Sequence, residues 1–547
     1  MKYATLVYFF AGILVMSVLG AREDHSESTD LLIDPHLIAE AAEVWSILTA
    51  SQNRVWPGWD VSDTPILFYL PGQQDLLINH PNPPEGFIPY KGPLSFPGAT
   101  MFVRNGATFF DLDGQNTSTR VNGLSTLVVA DTLSNLRQQL MTILNDPRPV
   151  REKFPPGNYD VLATNPYGQM TMIAHEAFHV FQEKKAPQKG GDESALLGYP
   201  VLSVTNNVGF ALEGDILAEA IRAETVGGCR AAAVRWFAVR MDRRYQLPQD
   251  SIAYEDGIEF SEGLARYVEY KLAAAMETRQ PGDALKWIRG FRGRKGYSAY
   301  REGIIDMMAN HMRGAVNVNN DPYGTAPLRM RLYFSGLAIA AVLDRLSPGW
   351  HDRIFEKETT LTGLAQKAIE ASFEELEQAL AEVQDSPSYE SLVAEKERLE
   401  QDGEAHVEAL LESIVHGKNT LLTIEYGALD TARMGLRYTP FGLTVVDEDR
   451  VIYRIVPFGA MFSRRYEFTQ TEATPALHDR KNERFEFQLL DTVSLEDLTS
   501  ALNVDELPEE PLRNCEFDLP GVHLKAGKAA ITWTGERITV TFLPGRR

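Results

Sequence analysis

Between residues 31 and 48 apolar side chains recur every three to four positions, which predicts an amphipathic helix. Short apolar runs then alternate with turn-forming residues. The runs at 65–70, 76–78, 100–103 and 108–112 read as strands of a small sheet, punctuated by Pro71-Gly72 and Asn82-Pro83-Pro84. From about residue 125 to 415 the texture is almost wholly helical. Segments near 166–186, 207–225, 229–246, 257–277, 283–312 and 326–346 carry a 3.6-residue period, and a charged helical stretch follows at 389–414. After His416 alternation returns, and 420–426, 451–456, 484–490, 529–534 and 537–543 read as strands. The expected fold class is α+β. A mixed subdomain spans 30–125, a mainly helical body 126–415, and a β-rich domain 416–547. No internal repeat interrupts this order.

The first 21 residues follow another rule. Lys2 precedes an apolar run at 3–19, and polarity returns at Arg22-Glu23-Asp24-His25. This is the layout of a secretory signal or, if uncleaved, of a membrane anchor, so a secreted or periplasmic protein is expected. Membrane contact is expected only for the uncleaved form, since no other stretch reads as long and apolar enough to cross a bilayer. Asn116-Thr117-Ser118 forms a glycosylation sequon.

Composition narrows the class further. The 547 residues are 44% hydrophobic and 23% charged, as in ordinary globular proteins. A net charge of −22 argues against a nucleic-acid partner. The Arg-rich stretches at 235–244 and 289–294 are short and read as parts of apolar helices, not as a basic patch. Cys229 and Cys515 lack Cys-x-x-Cys spacing, and either one disulfide or two free thiols fits.

The chemistry is concentrated in Met172-Ile173-Ala174-His175-Glu176-Ala177-Phe178-His179-Val180-Phe181. Two histidines and a carboxylate on so apolar a helix are costly unless paired or bound to a metal. His175 and His179 are four apart, so both imidazoles leave one face and can grip a single cation. Glu176 lies one step round, where it can hold a water instead of the metal. The pattern is His-Glu-x-x-His, the zincin motif. No Gly and His follow at metzincin spacing, so a third ligand must come from a later helix.

Two glutamates compete for that role. Glu262 stands in Glu259-Phe260-Ser261-Glu262-Gly263-Leu264-Ala265-Arg266-Tyr267-Val268-Glu269. Here the chain resembles the gluzincins, whose third ligand is a glutamate on a downstream helix, in several of them within a Glu-Gly-Leu-Ala-x-Tyr string. Arg266 occupies the place where thermolysin-like members carry an aspartate. On a helical wheel Glu262 falls with Arg266 and Glu269, away from the apolar stripe, which also fits a solvated face. Glu213, in Phe210-Ala211-Leu212-Glu213-Gly214-Asp215, lies inside an apolar face and needs a partner: the metal, a ligand histidine, or Arg222 or Arg230.

The resemblance implies a zinc metallopeptidase acting on a peptide or protein substrate. One Zn²⁺ per chain is held by His175, His179 and Glu262 with a water in the fourth position, and Glu176 is the general base. Such enzymes also place a Tyr or His over the developing oxyanion; Tyr333 is the candidate, with His311 and Tyr267 as competitors. A competing class is a non-catalytic zincin-like scaffold that binds through its β-rich domain. The intact Glu176 favours the enzyme. Another amide or an ester could serve as substrate of the same machinery.

Overall fold

The structure, a computed structural model, describes residues 31–49, 53–106, 112, 114–136, 165–316, 318, 321–432 and 434–544. The expected signal or anchor at 1–21 and most of the expected strand at 108–112 lie outside the described residues. The fold is α+β.

Helix α1 (Pro35–Leu48) opens the chain, with Asp34 accepting from the His36 amide and Pro at its first position. Six strands follow: β1 (Ile66–Leu70), β2 (Gln74–Ile78), β3 (Ile88–Pro89), β4 (Met101–Asn105), β5 (Thr117–Val121) and β6 (Leu124–Ala130). They form one sheet in the order β3-β4-β2-β1-β6-β5, antiparallel except for β1 with β6. Helical texture was expected from residue 125, but β6 is a strand. Its hairpin with β5 turns at Asn122 and Gly123, which both have positive φ. That Asn-Gly pair is the sequence signal for a two-residue turn. The sequon's Asn116 is engaged at both ends of its amide: Oδ1 accepts from the Ala130 amide at 2.9 Å, and Nδ2 points at Met172 Sδ at 3.1 Å. A glycan on Nδ2 would displace the contact with Met172.

Residues 132–136 are helical, and the next described helix is α2 (Pro166–Lys185), capped by Asn165 and carrying the His-Glu-x-x-His residues. It lies against α1, β5 and β6. Next come α3 (Val204–Arg222), α4 (Val226–Tyr245) and α5 (Gln249–Ile258). One turn of π-helix, Glu259–Gly263, joins α5 to α6 (Leu264–Glu277). The segment expected as one helix over 283–312 is a 3₁₀ turn, Asp283–Trp287, then an exposed loop, then α7 (Arg294–Arg313). Glycines at 290 and 293, both at positive φ, break the run. Helix α8 (Thr325–Leu346) crosses the centre. By length and composition α8 could cross a membrane, contrary to the expectation that only the N-terminal run qualifies, but 89% of its apolar window is buried inside the protein. Helices α9 (Leu361–Ile369), α10 (Phe373–Gln384) and α11 (Tyr389–Val415) complete the body.

Eleven strands from Leu421 to Phe542 form the C-terminal sheet, antiparallel except where Arg537–Phe542 pairs with Leu421–Glu425. The sheet sits against the start of α8. Thr325 Oγ1 donates to the Pro440 carbonyl at 2.6 Å, and Arg454 pairs with Asp321. Cys229 and Cys515 are both free thiols.

Candidate metal centre

The π-helical turn brings the two halves of the site together. A π turn inserts one residue into a helix and re-aims the side chains around it. Here it directs Glu262 at α2. Glu262 Oε2 lies 3.4 Å from His175 Nε2 and 3.6 Å from His179 Nε2. One ligand atom from each of the three residues falls within 4.8 Å of the others. Zinc bonds of about 2.0–2.1 Å imply tetrahedral edges near 3.3 Å, so the two measured edges fit this donor set. The solvated-face reading of Glu262 fails: its side chain is 18% exposed and faces the two imidazoles.

Each imidazole is held through its other nitrogen. Glu269 Oε1 accepts from His175 Nδ1 at 2.8 Å, and Arg266 Nη1 donates to Glu269 Oε2 at 2.6 Å. Gln182 Oε1 accepts from His179 Nδ1 at 2.9 Å, while Gln182 Nε2 donates to the Phe260 and Ser261 carbonyls at 2.6 and 3.1 Å. Both Nδ1 atoms therefore carry protons, and both Nε2 atoms face Glu262, where each can exchange its proton for a metal. Gln182 also ties the motif helix to the backbone of the π turn. Glu269, seven residues after Glu262, is thus the carboxylate that supports His175, and Arg266 supports Glu269 in turn.

The electrostatics attract a cation. Burial opposes charge on His175, yet Glu262 and Glu269 outweigh it and pull its pKa up to about 10. His179 is raised in the same way, against its own burial, by Glu262. Burial opposes charge on Glu262 too, but the two imidazoles hold its carboxyl well below the usual range. A divalent ion would take the place of the protons that now balance these groups. Glu176 is half-buried beside His175.

Close helix contact places the remaining residues. A Cβ on Gly263 would stand 2.7 Å from Gly336 Cα, and one on Gly336 would stand 2.6 Å from the Glu259 carbonyl. Two glycines thus let α8 touch the π turn backbone to backbone. Tyr333, one turn before Gly336, reaches the site: its ring centroid is 6.5 Å from that of His175. Burial and the charge of Glu262 push its hydroxyl well above the ordinary phenol range. Arg329, a turn earlier, lies 3.6 Å from Glu262 Oε1 and bonds Glu193 and Tyr254. Its guanidinium also faces Tyr333 and Phe441, the latter from a turn between two strands of the C-terminal sheet.

The other candidates lie elsewhere. Tyr267 donates to Asp344 at 2.8 Å and meets His351, on a separate face of α6. His311 stacks on Phe334, and burial together with Arg266 and Arg331 presses its pKa down to about 4. Glu213 joins neither the metal group nor Arg222 or Arg230. Arg240 Nε and Arg243 Nε reach it at 2.9 and 2.6 Å, and the Trp236 indole donates at 3.1 Å. Arg222 pairs with Asp306 and Arg230 with Glu375.

Sequence reasoning passed over Gln182, Arg329 and the buried Arg240. The only signal for them was cost: an amide and two guanidiniums on apolar helix faces require partners. Arg240 grips Glu259 with Nη1 and Nη2 at 3.0 and 2.6 Å, and Ser335 donates to the same carboxylate. The first residue of the π turn is thereby anchored from below. No family model, curated protein or solved structure matches the chain, and the chemistry of the site is carried by its geometry.

Proposed function

We propose that the protein is a zinc-dependent peptidase of gluzincin type, hydrolysing peptide bonds in a peptide or protein substrate. The observation that carries this reading is the convergence of His175 Nε2, His179 Nε2 and Glu262 Oε2, with each imidazole already oriented through Nδ1. Nitrogen and carboxylate donors of this kind suit zinc, and three protein ligands leave a position open. Bound there, zinc supplies Lewis acidity, which acidifies a water and polarises a carbonyl.

The chain's own residues do the rest. Glu176, one step round from the ligand histidines, takes the proton of the attacking water and returns it to the leaving amine. Tyr333 keeps its proton, since its pKa is raised, and can donate to the carbonyl oxygen as charge builds there. Arg329 partly neutralises Glu262 at Oε1 and leaves Oε2 toward the histidines. Glu269 and Gln182 hold the imidazoles against rotation.

Zinc content by elemental analysis and hydrolysis of a peptide library test the reading together. About one zinc per chain is expected in the parent and in Glu176→Gln, with hydrolysis by the variant falling about 10²- to 10⁴-fold. Full activity in Glu176→Gln would remove it as the base. No zinc uptake by the parent would remove the reading itself.

A further inference from the structure

The Arg-rich stretch at 289–294, expected as part of an apolar helix and not as a basic patch, instead presents its basic side chains to solvent where the expected 283–312 helix breaks. Residues 283–295 read Asp-Ala-Leu-Lys-Trp-Ile-Arg-Gly-Phe-Arg-Gly-Arg-Lys, with five basic residues against one acidic, in a protein of net charge −22. Trp287 is 84% exposed. Lys286, Arg289, Arg292, Arg294 and Lys295 are exposed as well. Lys286 pairs with Asp283; for Arg292, Arg294 and Lys295 no carboxylate is within ion-pair reach among the described residues.

This exposure is built in. Leu285 and Ile288 are buried on either side of Trp287. Phe291 stacks on Tyr167, whose hydroxyl accepts from the Arg292 amide and donates to the Gly293 carbonyl. The Gly282 amide is fastened to Glu43 of α1. A cavity of about 320 Å³ opens between Gln280, Pro281, Lys286, Phe291, Gly293 and Arg294. Two cationic side chains and an aromatic ring therefore line a hollow of headgroup size beside an exposed indole.

We propose that this loop docks the protein on an anionic phospholipid surface, with Trp287 in the interface and Lys286 and Arg294 seating a phosphate headgroup. Charge complementarity and the indole argue for it together. Basic residues near an anionic leaflet each contribute about 1 kcal/mol, roughly fivefold in binding. Trp has an apolar body and a polar N–H, which suits the boundary between headgroups and acyl chains. At physiological ionic strength charges beyond roughly 8 Å are screened, so the patch facing the surface outweighs the acidic remainder.

The test is co-sedimentation of the full chain with vesicles of phosphatidylcholine alone and of phosphatidylcholine with phosphatidylglycerol. The parent is compared with Trp287→Ala and with the triple variant Arg292→Gln, Arg294→Gln, Lys295→Gln. The parent is expected to prefer the anionic vesicles, and the preference to weaken with salt. The triple change should lower that binding about a hundredfold and Trp287→Ala about tenfold. All four side chains are exposed, and unchanged thermal melting verifies that the variants fold. Binding through the apolar run at 3–19 is common to every form and cancels in the comparison. Equal sedimentation of parent and triple variant, or no preference for anionic lipid, overturns the proposal. So does capture of polyglutamate by the parent without vesicle binding, which would make the patch a site for an acidic protein.

Discussion

Two buried polar clusters lie back to back across the π turn, and they balance their charge in different ways. Beneath the turn, Glu213, Glu255 and Glu259 meet Arg240, Arg243 and Arg244 with contacts of 2.6–2.9 Å, and Arg244 also pairs with Asp256 at 2.8 Å. Above it, Glu193, Glu262 and Glu269 pair with Arg266 and Arg329 as their permanent cations among the described residues, and Glu176 lies beside His175. In the lower cluster every carboxylate is matched by a permanent guanidinium. In the upper one the balance depends on protons held by two imidazoles, which a divalent ion can replace. A buried carboxylate is thus no sign of a metal site by itself; the sign is a carboxylate whose partners can lose their protons.

Exchanging the glutamates of the two clusters breaks the comparison most strongly. Glu213→Ala strands Arg240 and Arg243 in the interior and is expected to cost about 3–5 kcal/mol of stability. Its melting temperature should fall while the folded fraction still binds zinc. Glu262→Ala should do the reverse, abolishing zinc uptake with a smaller change in melting of the metal-free protein. If Glu213→Ala lost zinc at unchanged stability, the assignment of the two glutamates would be inverted.

A subtler change sharpens the upper cluster. Glu269→Gln keeps a hydrogen bond to His175 but removes the charge, and zinc affinity is expected to fall about 10- to 100-fold by competition with a chelator. An unchanged affinity would mean that Glu269 only packs.

The smallest effect concerns acid. Burial pushes Glu255 up, but Arg243 and Arg244 outweigh it and hold its carboxyl at about 2, below the ordinary 4.5. A lowered folded pKa gives stability that is complete above 4.5 and is lost as pH falls toward 2. Melting temperature should therefore decline over that window, and Glu255→Gln should flatten the decline. A parent curve flat from 4.5 to 2 would remove Glu255 as a source of acid sensitivity.

Much of this was legible along the chain, and the gaps have physical causes. The α+β order and most helices follow from periodicity, a local property. The strand Leu124–Ala130 has a fully apolar end that resembles a buried helix, although Asn122-Gly123 marks the hairpin. Across 288–293 Ile288 and Phe291 keep helical spacing, and Gly290 and Gly293 are the residues that break it. Gln182 and Arg329 were invisible because a polar residue on an apolar face announces a need, not a partner.

The sequence by itself determined the chemistry of one helix: His175, Glu176 and His179 share a face because the helical period puts them there. It also offered Glu262 and Glu213 as third ligands, with the Glu-Gly-Leu-Ala string favouring Glu262 by resemblance. Both precede a glycine on an apolar helix, so spacing along the chain could not place either of them beside the histidines. Only the tertiary structure did. Gly263 meets Gly336 backbone to backbone, and the π turn aims Glu262 at the histidines, whereas Gly214 meets the Met312 side chain and Glu213 is enclosed by two arginines. Charge balance is set by distances through space, and these depend on how helices cross, which residue spacing along the chain does not encode.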